Sequence, residues 1–191
     1  MMNKKILKVL AVAVCAVLLV VGSVAGTLAY LTAQTETITN TFTVGNVTIT
    51  LTEANSLAAD TKLIPGMTYT KDPTITVVSG SEQCYLFVEV NNGIAGIEGE
   101  TTISTQMTNN GWKQLEVNSV AVPNVYYYNG VANAGTYPVF SSFKVRESVT
   151  GSEIVNFASA KIDVTAYAVQ VEGFGSAADA WKATFGAPAN Q

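Results

Sequence analysis

The chain has 191 residues, carries a net charge of −4 and contains no histidine. Without histidine it can form no Ser-His-Asp triad, no Cys-His dyad and no HExxH zinc site. Its acidic balance argues against nucleic acid and anionic membrane surfaces as partners.

The first predicted element is an export signal. Lys4, Lys5 and Lys8 precede an uncharged apolar run from Leu10 to Val21, followed by small residues and Thr27-Leu28-Ala29. Positive, then apolar, then small is the order of a secretory signal peptide, here a helix-forming segment over residues 1–29. The run is shorter than the ~20 apolar residues that a transmembrane helix wants, so no stable membrane insertion is expected after cleavage. Thr27 and Ala29 place small residues at the two positions a signal peptidase reads, which sets the cut between Ala29 and Tyr30. Removing 29 residues leaves 162, with seven basic and fourteen acidic side chains and a net charge of −7. Cys15 leaves with the signal, and Val14 before it does not fit a lipidation motif. Cys84 then stands alone, so no internal disulfide can form and a hydrophobic core must hold the domain. Secretion to the cell surface or extracellular matrix follows as the expected localisation.

Residues 30–40 come next, Tyr-Leu-Thr-Ala-Gln-Thr-Glu-Thr-Ile-Thr-Asn, without Pro or Gly and with the single charge Glu36. Threonine at 32, 35, 37 and 39 favours extended chain. Fully stretched, the segment reaches ~36 Å at ~3.3 Å per residue. Composition alone leaves it as a flexible leader, a first strand of its own sheet, or a strand free to leave its own fold.

Strands follow. Val47, Ile49 and Leu51 alternate with threonines and read as a half-buried strand with the apolar side chains inward. Ile75 and Val77 after Pro73 give a second. Cys84, Leu86, Val88 and Val90 form one face of a third, with Tyr85, Phe87 and Glu89 on the other. Residues 91–110 read as a long glycine- and asparagine-rich loop. Leu115 and Val117 mark a short strand after Asn110-Gly111, and Val125 to Tyr128 ends at Asn129-Gly130, a hairpin signal. Phe140, Phe143 and Val145 predict another strand, and residues 162–169 the longest of the C-terminal half. One helix is predicted, Ala177 to Phe185, capped by Ser176 with Asp179 three residues on and stopped by Gly186 and Pro188. Its Trp181 and Phe185 are expected to plug one end of the sandwich. The expectation is an all-β fold: an antiparallel jelly roll or β-sandwich over residues 41–186 with one short C-terminal helix and a frayed tail at 187–191.

Chemistry-bearing candidates are few. Glu98 and Glu100 could act as a carboxylate pair, but in a glycine-rich loop they are expected only to solvate the turn. Asp60, Asp72 and Glu82 bracket strand ends, where a calcium role competes with ordinary loop charge. Cys84 shares a face with Leu86 and Val88 and reads as a buried, inert thiol. Tyr126, Tyr127 and Tyr128 suit cross-strand packing better than glycan stacking. Asn46-Val47-Thr48 matches a glycosylation sequon but lies mid-strand in this reading. No catalytic residue, cofactor or metal site is expected.

The stretch from Gly26 to Thr32, then Asn40 to Leu51, resembles the start of the TasA/camelysin family of exported proteins. Pro65-Gly66 before Thr70-Lys71-Asp72 is similar to a turn of that family, and Ala166 to Gln170, Gly173-Phe174 and Ala180-Trp181 resemble its ending. The resemblance implies processing by a SipW-type signal peptidase and a jelly-roll subunit of biofilm-matrix fibres. In such fibres the mature N-terminal segment of one subunit completes the sheet of the next. Applied here, residues 30–40 would be the donor strand, with Leu31, Ala33 and Ile38 as its apolar side chains and a second copy of the chain as partner. These three do not share one parity, so a bend or bulge is required. The family also carries a metallopeptidase label, for which a chain without histidine offers no conventional zinc site. A monomeric surface adhesin is the competing reading.

Overall fold

The computed structural model describes residues 46–55, 57, 58 and 61–188. The signal peptide, the cleavage site Ala29/Tyr30, the segment 30–40 with Leu31, Ala33 and Ile38, Asp60 and residues 189–191 lie outside the described residues.

Among the described residues nine strands form in chain order: β1 (Ile49–Glu53), β2 (Thr68–Thr70), β3 (Pro73–Val77), β4 (Cys84–Asn92), β5 (Trp112–Val117), β6 (Val120–Tyr128), β7 (Gly135–Pro138), β8 (Ser142–Lys144) and β9 (Ile162–Gln170). All their ladders are antiparallel. One sheet runs β1-β3-β7, a two-stranded piece pairs β2 with β8, and a four-stranded sheet runs β5-β6-β4-β9. Three short α-helices among the described residues decorate them: α1 (Ile103–Asn109), α2 (Gly151–Ile154) and α3 (Ala177–Phe185). The described part of the chain is thus all-β with antiparallel sheets, as its alternating Thr/Val pattern predicts. Among the described residues no helix is long and apolar enough to cross a membrane.

The period of two sorts the side chains. Cys84, Leu86 and Val88 on β4 are fully buried and meet Ile75 and Val77 of β3 in one core, joined by Trp112, Phe140, Phe143 and Val145. Tyr69 of β2 stacks on Phe143 of β8 at 5.0 Å. Phe87, also fully buried, points the other way, into a second cluster with Leu115, Val117, Val125, Val169, Ala180 and Trp181. The four-stranded sheet is therefore covered on both faces, by the other sheet and by α3.

That arrangement corrects one expectation. Trp181 and Phe185 do not plug an end of the sandwich; α3 lies on the outer face of the four-stranded sheet. Trp181 meets Phe87 at 5.2 Å and Tyr167 at 5.6 Å, and Phe185 caps the stack at the surface, 45% exposed. The outward residues Phe87 and Val169 are too apolar for a solvated face, and α3 takes them out of water.

The expected loop over 91–110 also needs correction. β4 continues through Asn92, Ala95–Ile97 makes a 3-10 turn, and α1 occupies Ile103–Asn109, so α3 is not the only helix. Thr102 caps α1 by accepting from the Thr105 amide, and Ile103 and Met107, four apart, bury together. Thr150 and Glu153 form a reciprocal capping box on α2. Asn129-Gly130 does not close a hairpin: β6 pairs with β5 and β4, while the next strand, β7, crosses to β3. The two-residue hairpin is β5–β6, where Asn118 and Ser119 sit at φ 54° and 64° between the paired Val117 and Val120. Both central residues in the left-handed region make this a type I′ turn, whose twist matches the flanking strands.

Candidate functional site

Among the described residues β9 is an edge strand. Its full nine-residue length pairs with β4, from Ile162↔Asn92 to Gln170↔Cys84, and among the described residues nothing pairs with its other side. Its core-facing side chains are Ile162, Val164, Ala166 and Ala168, all packed on the main core yet only half-buried. The residues opposite three of them on β4, Leu86, Val88 and Val90, are 0%, 0% and 4% exposed. The core is therefore sealed at β4 and thins at β9, where two of the four inward side chains are alanines. Among the described residues β1 is an edge of the facing sheet, and its Cα atoms come within 8 Å of those of β9. Leu51, expected to point inward, is 38% exposed on this edge. Among the described residues two unpaired strand edges thus flank one side of the sandwich. Long edges of this kind present rows of free N–H and C=O groups, a template for another strand.

A cleft of about 660 Å³ opens where β1 ends and β9 begins, at Glu53 and at Ile162 and Asp163. Ile94 and Phe143 reach it from the core, and Leu63, Ile154 and Phe157 also line it. Lys71 Nζ donates to both carboxylate oxygens of Glu53 at 2.9 and 3.0 Å, with the side chains 16% and 23% exposed. Partial burial shields this pair from solvent screening, unlike the exposed Lys144–Glu147 pair. Lys62 and Lys161 complete the charged lining.

The residues singled out from sequence are placed as follows. Cys84 is fully buried, its amide donates to Ala132 at 3.0 Å, and burial pushes its thiol pKa up, which disfavours the nucleophilic thiolate. Tyr126 and Tyr128 pack on the main core and Tyr127 on the second cluster. Tyr128 lies edge-on to Trp112 at 5.8 Å and to Tyr137 at 4.9 Å, so the tyrosine run is used in packing.

Glu98 does not solvate a turn. It is 8% exposed, its Oε1 accepts from the Ile103 amide at 2.9 Å and its Oε2 from Asn92 Nδ2 at 2.9 Å, while Glu100 is exposed. Glu98 ties β4 to the start of α1 through partners six residues upstream and five downstream, a spacing that matches no local capping motif. Asp72 accepts from the Asn55 amide at 2.8 Å and its Nδ2 at 2.7 Å, and these bonds hold its carboxyl below the ordinary value. Glu82 is exposed. No three acidic or cysteine side chains gather into a metal-binding group among the described residues. Asn46 is exposed and precedes β1, so the sequon does not lie mid-strand.

No family model, no curated protein and no solved structure matches the chain.

Proposed function

We propose that the protein is an exported structural subunit of an extracellular fibre, with a jelly-roll domain that receives the N-terminal segment of a neighbouring copy along the β9 edge. The half-covered inner face of β9, beside an edge with no partner among the described residues, carries this reading. The dimensions fit. A nine-residue strand spans about 30 Å and the stretched segment 30–40 about 36 Å, at ~3.3 Å per residue. Main-chain hydrogen bonds to the β9 edge would supply affinity, and side chains entering over Val164, Ala166 and Ala168 would set register. Leu31 and Ala33 lie on one parity and Ile38 on the other, so the donor bends or bulges between them. A head-to-tail contact of this type does not close on itself and propagates as a fibre. Resemblance to the TasA/camelysin family points the same way, with cleavage after Ala29 by a SipW-type peptidase freeing the donor and secretion delivering the subunit to the matrix.

Leu31→Asp and Ile38→Asp test it. Each forces an unpaired carboxylate against an apolar face, which desolvation opposes. Both variants should remain folded monomers when the parent chain beginning at Tyr30 polymerises, as read by light scattering and electron microscopy. Polymerisation of both at the parent rate would overturn the reading.

A further inference from the structure

The cleft at the β1 and β9 ends gathers cations in an acidic protein. Beyond residue 29 the chain has seven basic and fourteen acidic side chains. Three of the seven, Lys62, Lys71 and Lys161, line this one cleft, against two acids among the described residues, Glu53 and Asp163. Lys71 is neutralised by Glu53 at 2.9 Å. Lys62 and Lys161 form no ion pair among the described residues. Ile94 and Phe143, each 2% exposed, join the apolar part of the lining to the core. Its volume, about 660 Å³, falls within the range of small-molecule sites.

We propose that this cleft binds a free single-chain, long-chain carboxylate, with the alkyl tail against Phe143, Ile94, Ile154 and Phe157 and the carboxylate at Lys62 and Lys161. Two lysines lining a cleft with a partly apolar wall suit an anion with an apolar body. A small hydrophilic anion would leave the cavity wall wet, and a neutral alkane would leave the lysines without a partner. The Glu53–Lys71 pair closes on itself and contributes no net charge, and Asp163 offsets one of the other two lysines, so selectivity rests on the net positive charge that Lys62 and Lys161 leave. This site is independent of the fibre reading, since neither tail nor head requires a second copy.

Calorimetric titration of the chain beginning at Tyr30 tests it, using octanoate, decanoate and dodecanoate below their micellar concentrations. Affinity should rise about fourfold per added methylene, the transfer value of a buried CH₂ converted to a ratio. The Lys62→Glu/Lys161→Glu variant, altered at two exposed side chains, should bind dodecanoate at least tenfold more weakly. Both proteins should bind dodecanol alike. Equal affinity across the series, or no effect of the charge reversal in a folded variant, would overturn the proposal. So would capture of anionic phospholipid vesicles, or of a peptide of residues 30–40, by a protein that ignores dodecanoate.

Discussion

Single side chains decide how the fold responds to pH. Asp72, Glu147 and Glu153 are held below their ordinary values, by hydrogen bonds from Asn55, from Lys144 and from Thr150 respectively. A carboxyl whose folded pKa is depressed stabilises the fold above its unfolded pKa, and that contribution is lost as pH falls through the folded value. Tyr167 and Cys84 move the other way. Burial, then the bond to Glu89, raises Tyr167, and burial raises Cys84 above its ordinary 9.0. Their contributions are present below the unfolded values and vanish as pH rises through the folded ones. With no histidine in the chain, the melting temperature should be flat between about pH 5.5 and 7.5, falling on the acid side and again in the alkaline range. A step near pH 6.5 in a thermal-melt series would contradict this. Glu98→Ala leaves the Ile103 amide and the Asn92 side chain without their acceptor. It should cost about 1–3 kcal/mol in urea unfolding, the range for unsatisfying buried polar groups.

At the scale of elements, the turn and the covering helix make opposite predictions. Ser119 holds φ 64° as the second central residue of the β5–β6 hairpin, a position that favours glycine. Ser119→Gly should stabilise the protein by about 0.5–1 kcal/mol, since a left-handed non-glycine residue costs roughly 1–2 kcal/mol and glycine returns part of that in entropy. Phe87→Ala should destabilise it by about 3–5 kcal/mol by opening a cavity under Trp181. The contrast shows what the sequence made legible. β3, β4 and β9 alternate cleanly, so their faces could be read residue by residue. α1 was hidden because Ile103 and Met107 are its only buried side chains, and its neighbours Ser104, Thr105 and Thr108 compete with a helix for backbone bonds. Asn129-Gly130 misled because a local turn signal does not reveal that the next strand joins the other sheet. The β9 edge was invisible for a related reason: alternation reports which face is inward, and says nothing about whether a neighbouring strand is present.

Over the whole molecule, the sandwich is sealed unevenly. Trp112 and Phe140 close its middle and the β5 side, while the β9 side ends in Ala166 and Ala168 with half-exposed neighbours. A domain built this way gains buried apolar area when another chain adds to that side, without rearranging its core. The measurement that bears most directly on this is electron microscopy of two purified chains at equal concentration, one beginning at Tyr30 and one at Thr41. The account predicts fibres from the first, and from the second a folded monomer that a peptide of residues 30–40 binds with one-to-one stoichiometry. Fibres from the chain lacking residues 30–40, or none at any concentration from the chain that retains them, would contradict it.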